Sequence, residues 1–184
     1  MLTTLLIALA VLAALFIALY NGLVRGKNAV EEAWSGIDVQ LKRRHDLVPN
    51  LVSTVRGYAS HEKDIFTQVA EARANSIAAG SQGVEAAAAA ENALSQTLKS
   101  LFAVAEAYPQ LQASKNFQAL QASLSELEEA LQLARRYYNG TAREQNNRVQ
   151  QFPGCLIASS FGFSKVPYFE LDSEAEKATP QVAF

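Results

Sequence analysis

The chain has 184 residues, 49% of them hydrophobic and 18% charged, with one cysteine and a formal net charge of −2. That length allows one domain and a modest core and excludes a multidomain enzyme. A single cysteine excludes an internal disulfide framework, and no long basic run supplies the electrostatic footprint of a nucleic-acid binder. Alanine supplies 32 residues while Gly and Pro together supply 14, a balance that favours long helices and excludes an all-β fold.

All 34 Lys, Arg, Asp and Glu residues lie beyond position 24. Residues 2–19, LTTLLIALAVLAALFIAL, span roughly 30 Å at 1.5 Å per residue, the thickness of a bilayer's hydrocarbon. Residues 1–22 therefore read as a transmembrane anchor. A cleaved signal peptide is the competing reading, but there is no basic n-region and no small-x-small cleavage site after the apolar run. A lipoprotein needs a cysteine just after that run, and the one present is Cys155. Positive charge lies on one side alone, at Arg25, Lys27, Lys42, Arg43 and Arg44, so the positive-inside rule places the C-terminal part in the cytoplasm of a single-pass cell-membrane protein. Ala10, Ala14 and Ala18 form a small-xxx-small stripe that lets two such helices approach closely, which points to a homo-oligomer; chance in an Ala- and Leu-rich span is the alternative. Tyr20 sits where interfacial aromatics are enriched.

From residue 23 the pattern becomes periodic. Val30, Trp34, Ile37, Leu41, Val48, Leu51, Val55 and Tyr58 follow coiled-coil-like 4-3 spacing, with Arg44 in the one charged seam position. Pro49 predicts a kink or a new helix capped by Asp46, and the unbroken phase of the stripe favours the kink. Ser60 can cap a second helix carrying Ile65, Val69, Ala72 and Ile77, which stops at the turn of residues 80–83. A third begins near Val84, shows Leu94, Leu98, Leu101 and Ala105, and ends at Tyr108-Pro109. The fourth carries Phe117, Leu120, Leu124, Leu127, Leu131, Ala134 and Tyr138 and continues towards Phe152-Pro153. Short connections make neighbours antiparallel, so the fold class is all-α: a transmembrane helix leading into an elongated antiparallel four-helix bundle over residues 23–152. The first and fourth helices are longer than the middle two, so the fourth returns towards the membrane end of the first.

What it delivers there, residues 152–169, holds five of the 16 aromatics, two prolines and one charge. Residues 153–170 thus form an aromatic-rich, membrane-proximal segment, with Phe152, Phe161, Phe163, Tyr168 and Phe169 as candidate interface residues. A strand or loop packed on the bundle, contact with the membrane surface and contact with a neighbouring protomer all fit that composition. Residues 171–184 have the polar composition of a flexible tail.

Asp38, Gln40, Lys42, Arg43, Arg44, His45 and Asp46 form the densest polar cluster, in which i,i+4 spacing suits a solvated helix surface. Asp38, Lys42, Arg43 and Arg44 are the candidate partner-docking residues. The seam position of Arg44 also predicts a buried or half-buried partner, foremost among Glu126, Glu128 and Glu129 on the fourth helix. His61-Glu62 and His45 are the sole hint of an active centre, and adjacent residues point to different helix faces, which does not make a metal site. Cys155 lacks a neighbour in sequence to activate it, so burial is expected, with juxtamembrane S-acylation as the alternative. No nucleotide-binding, zinc-protease or nucleophile-elbow motif occurs, so no cofactor, metal or catalytic residue is assigned.

Tyr20-Asn21-Gly22, Arg25 and Asn28 have the spacing of Tyr138-Asn139-Gly140, Arg143 and Asn146, which suggests asparagines bonding across a helical seam, with coincidence as the alternative. YNGLVRGKNAVEEAWSGIDVQLKRRHDLVPNLVSTVRGYASHE at 20–62, KNFQALQASLSELEEALQLARRYYN at 115–139 and NNRVQQFPGCLIASSFGFSKVPYFE at 146–170 resemble the LemA family. The block IDVQLKRRHDLVPNLVSTVRGYASHE is its most specific part. The resemblance implies an N-terminal membrane anchor, a long helical bundle and no established enzymatic activity. Gly26-Lys27 and Asn147-Arg148 depart from the family's pattern, which bears on the repeated motif and not on the family. Together these features point to a non-enzymatic helical scaffold that self-associates at or organises the membrane, with the lipid bilayer and a membrane protein as partners. The alternative is an accessory regulator docking onto a membrane enzyme such as a peptidase.

Overall fold

Apolar residues recurring every three to four positions build a wholly helical chain in the computed structural model, which describes residues 1–170. The elements are α1 (Leu2–Arg56), α2 (Lys63–Ala79), α3 (Val84–Glu106), α4 (Pro109–Gln112), α5 (Lys115–Gln150) and α6 (Gly154–Ser160). No strand occurs among the described residues, and the tail expected at 171–184 lies outside them. Two compact units emerge: Met1–Leu41 with Glu129–Tyr168, and Lys42–Glu128 with Phe169 and Glu170.

In the first unit α1 begins as the apolar stretch, and no residue of its most apolar window is buried by the other described residues. Burial starts at Leu23 and follows Val30, Ala33, Ile37 and Leu41. Trp34, predicted in the seam, is half-buried and packs edge-on against Tyr138 of α5, ring centroids 5.6 Å apart. Pairing with α5 is antiparallel, since Arg148 Nη1 donates to the Gly22 carbonyl at 3.0 Å and Gln145 Nε2 to the Leu23 carbonyl at 3.2 Å, while Tyr138 meets Trp34. Gly26 leaves room for two side chains of α5: a Cβ there would stand 2.0 Å from Gln145 Oε1 and 2.8 Å from Arg148 Nη1.

Beyond α5 the chain turns into α6 and then an extended stretch. Ile157 and Ala158 on one face of α6 are buried with Leu23, and Leu19, Tyr20, Val149 and Phe163 pack around them. Asn146 clamps the extended stretch at two points: its Nδ2 donates to the Val166 carbonyl at 2.9 Å and its Oδ1 accepts the Val166 N–H at 2.7 Å. Tyr138 Oη donates to the Pro167 carbonyl at 3.0 Å. The segment is thus a short helix and an extended stretch, packed on α1 and bonded to α5 along one side, with Phe152, Leu156 and Phe161 exposed.

In the second unit five helices feed one core, α4 through the fully buried Leu111. Val48, Leu51 and Val55 come from α1, Ile65, Phe66 and Val69 from α2, Leu94, Leu98 and Leu101 from α3, and Phe117 and Leu124 from α5. The predicted seam differs at three places. Tyr58 is exposed and Ala59 is buried, because α1 stops at Arg56 and the turn after it changes the phase. Lys63, not the residue after Ser60, opens α2, and no side chain caps it. Ile77 is exposed because Ser76 and Ala79 continue the inward stripe of α2. The one-turn helix α4, with Pro109 in its first turn, is an element that the spacing did not predict.

Pro49 sits inside α1 without ending it, so Asp46 caps no new helix. Proline has no N–H for the carbonyl four residues back, which is that of His45. Arg73 of α2 takes that place, its Nε donating to the His45 carbonyl at 2.6 Å.

Gly26→Ala should gain intrinsic helix propensity of about 1 kcal/mol yet lower the melting temperature, because Gln145 is buried and must abandon Leu23 to make room. Thermal unfolding of the detergent-solubilised chain checks this, and adding Gln145→Ala should remove the steric part of the loss.

Candidate functional site

The densest chemistry among the described residues is a buried ion cluster in the second unit. The Arg44 side chain is 3% exposed at the single charged position of its seam. A guanidinium there needs compensation for the water it loses, several kcal/mol per ion if unpaired. Two carboxylates and a hydroxyl supply it. Nη1 donates to Glu91 Oε2 on α3 at 2.8 Å, Nη2 donates to Ser95 Oγ at 2.7 Å, and Nη2 lies 2.9 Å from Glu128 Oε1 on α5. Of the three glutamates predicted as partners, Glu128 takes the role, whereas Glu126 and Glu129 are exposed.

Glu91 is the hub. Its Oε1 accepts a hydrogen bond from Ser76 Oγ of α2 and lies 2.7 Å from His45 Nε2 of α1. Burial pushes the Glu91 carboxyl up, but the hydrogen bonds from His45 and Ser76 and the charges of Arg44 and His45 outweigh it, so the group sits below the ordinary carboxylate value. An ionised carboxylate can only accept, so the hydrogen on His45 Nε2 points towards Glu91. Glu128, 43% exposed, behaves oppositely: burial raises its carboxyl, Arg44 offsets part of the rise, and the negative charge of Glu91 adds to it.

Glu91 escaped prediction because it follows the alanine block 86–90, yet it stands three residues before Leu94 and seven before Leu98 on the inward stripe. Ser76 is likewise a polar residue on an apolar stripe. Two polar anomalies on facing stripes, Arg44 and Glu91, are the signal that pairs them.

The other predicted residues fall as follows. Asp38, Lys42 and Arg43 are exposed, whereas Arg44 is withdrawn from the docking set because Glu91, Ser95 and Glu128 occupy its guanidinium. Ala10, Ala14 and Ala18 are exposed along the apolar stretch of α1. Phe152, Phe161 and Tyr168 are exposed and Phe163 is half-buried, but Phe169 is fully buried and is withdrawn from the interface set. Cys155, expected to be buried, is a half-buried free thiol. His61 and Glu62 are exposed. The repeated motif does not act symmetrically: Asn146 is buried on Val166, whereas Asn28 is exposed, and Gln145 is the amide that reaches α1. Among the described residues no group of three or more His, Cys, Asp or Glu side chains could hold a metal ion.

Residues 33–184 match the family profile described as the LemA family. The chain belongs to the LemA family. It is also similar to Magnetosome protein MamQ of Magnetospirillum gryphiswaldense, 24% identical over 189 aligned residues that cover 89% of this chain and 70% of that protein. Magnetosome protein MamQ 2 of Paramagnetospirillum magneticum is 25% identical over 175 residues, covering 82% of this chain and 64% of that protein. The LemA match includes every member of the ion cluster and leaves out the apolar start of α1. Family membership together with that apolar helix fits a membrane-associated helical protein.

Glu91→Gln should destabilise the chain by about 3 to 5 kcal/mol, because it leaves Arg44 buried with one half-exposed carboxylate. The pH dependences have opposite signs. The lowered Glu91 carboxyl contributes fully above the ordinary carboxylate value, and that contribution is lost as pH falls through its folded value. The raised Glu128 carboxyl instead favours the fold at low pH, and that contribution is lost as pH rises through its folded value. Melting temperature against pH should therefore lose its Glu91-dependent acid decline in Glu91→Gln, while Glu128→Gln should remove the loss on the rising side.

Proposed function

We propose that this LemA-family chain is a non-enzymatic, single-pass membrane protein whose packed helices act as a scaffold, self-associating at or organising the membrane. One observation carries the reading. The apolar start of α1 is long enough to span a bilayer, no residue of its most apolar window is buried among the described residues, and it runs without a break into the packed part of the same helix. Residues 1–22 then serve as the anchor, and the positive charges beginning at Arg25 put the packed helices in the cytoplasm. Ala10, Ala14 and Ala18 supply the close-packing stripe for a second copy in the membrane.

A second reading rests on the exposure of Asp38, Lys42 and Arg43. As a docking face for a membrane enzyme such as a peptidase, these charges would steer a partner of complementary charge and set its orientation. The likeness to magnetosome proteins supports a shared helical architecture; at 24–25% identity it does not bring that organelle to this chain.

Ala14→Arg places a charge at the centre of the span, at a cost of about 2.5 to 3.5 kcal/mol for insertion. The variant should move from the membrane fraction to the soluble fraction, and unchanged fractionation would contradict the anchor. Replacing Ala10, Ala14 and Ala18 together by leucine keeps the span apolar. Crosslinked dimers seen with the native chain in membranes should then disappear, and a native chain that crosslinks to no second copy would contradict self-association.

A further inference from the structure

Between Arg148 and Lys165 the chain carries no Asp, Glu, Lys or Arg. Within this stretch α6 buries Ile157 and Ala158 against Leu23, which leaves Leu156 on its outer side 60% exposed. The residue just after α6, Phe161, is 53% exposed, and its ring centroid lies 5.9 Å from that of Phe16 and 5.1 Å from that of Tyr20. Phe16 belongs to the apolar stretch 2–19. If that stretch is in a bilayer, a ring within 6 Å of Phe16 is at the same depth.

We propose that α6 and the turn after it form a second membrane contact, with Phe161 and Leu156 seated at the boundary of headgroups and acyl chains beside the end of the anchor. The inference rests on the anchor reading of α1 and adds a surface to it. Three features fit a lipid occupant. The exposed ring of Phe161, just after α6, lies against Phe16 and so continues the apolar surface of the start of α1. Ser159 and Ser160 both donate their hydroxyl hydrogens to the Leu156 carbonyl, at 3.0 and 2.9 Å, so neither needs water as an acceptor. The charge-free run ends at Lys165, an exposed cation of the type that favours the headgroup level. A short helix with one apolar face on the anchor and another apolar side outward lies in the interface and does not span it.

The test uses the full chain with Cys155→Ser and one introduced cysteine at a time: Leu12→Cys, Leu156→Cys, Phe161→Cys or Ser35→Cys. Each carries an environment-sensitive fluorophore and is reconstituted in phosphatidylcholine and phosphatidylglycerol vesicles containing nitroxide lipids. The proposal expects blue-shifted emission and loss of intensity to shallow nitroxides at 156 and 161, loss to deep nitroxides at 12, and neither at 35. Water-like, unquenched emission at 156 and 161 with quenching at 12 overturns the second contact and leaves the anchor standing. Blue-shifted emission at 161 that resists nitroxides and reverts when the protein is diluted in lipid assigns the surface to a second copy instead, which also overturns it. No quenching at 12 removes the anchor and this inference with it. Trp34→Phe with Phe161→Trp repeats the readout through tryptophan emission without a bulky label, and circular dichroism confirms that each variant is folded.

Discussion

A buried guanidinium without carboxylates would cost the fold several kcal/mol, a large part of what holds any domain together. Arg44 imposes that condition on the second unit. The condition is met by groups from four helices: Glu91 and Ser95 from α3, Glu128 from α5, and, through Glu91, His45 of α1 and Ser76 of α2. Apolar seams alone define which faces meet, since leucines slide past one another at little cost when volumes match. An ion cluster defines where along those faces they meet, because a displacement of one helical turn would separate Arg44 from Glu91. Pro49 adds a second pin, since the carbonyl it leaves free on His45 is claimed by Arg73 of α2.

The first unit is held differently. There the side chains of α5 reach main-chain atoms: Gln145 and Arg148 bond carbonyls of α1, while Asn146 and Tyr138 bond the extended stretch beyond α6. These contacts depend on the position of the backbone and tolerate change in the residue they touch. They hold α6 and its aromatic loop beside the end of the apolar stretch, where a membrane-associated chain meets its surroundings. In the second unit Glu91 places both carboxylate oxygens on structural partners, Oε2 on Arg44 and Oε1 on Ser76 and His45.

Much of this was legible in the sequence where apolar periodicity was strong. The stripes Leu94, Leu98, Leu101, Ala105 and Phe117, Leu124, Leu131, Tyr138 appear as buried faces of α3 and α5. The charged seam position at Arg44 also announced a buried or half-buried partner, and the half-buried Glu128 is one. Missing were the polar members of otherwise apolar stripes, Glu91 and Ser76, because a periodicity built on hydrophobic residues skips them. The same bias placed Ile77 inside. Trp34 and Ala33 show a related limit: spacing identifies a face to within one residue, and the smaller side chain took the tighter place. Phe169 and Phe161 are both exposed aromatics by composition, yet one is fully buried and the other is not, which depends on tertiary contacts that no local pattern encodes.

The most direct measurement is a double-mutant cycle on Arg44→Leu and Glu91→Leu in the detergent-solubilised full chain, followed by chemical denaturation. Each single change leaves the opposite charge buried without its main partner, whereas the pair together removes both buried charges. The expected result is a double variant distinctly more stable than the sum of the two single losses, with a coupling of about 1 to 3 kcal/mol. Additive losses would contradict the claim that this ion pair fixes how the helices of the second unit meet.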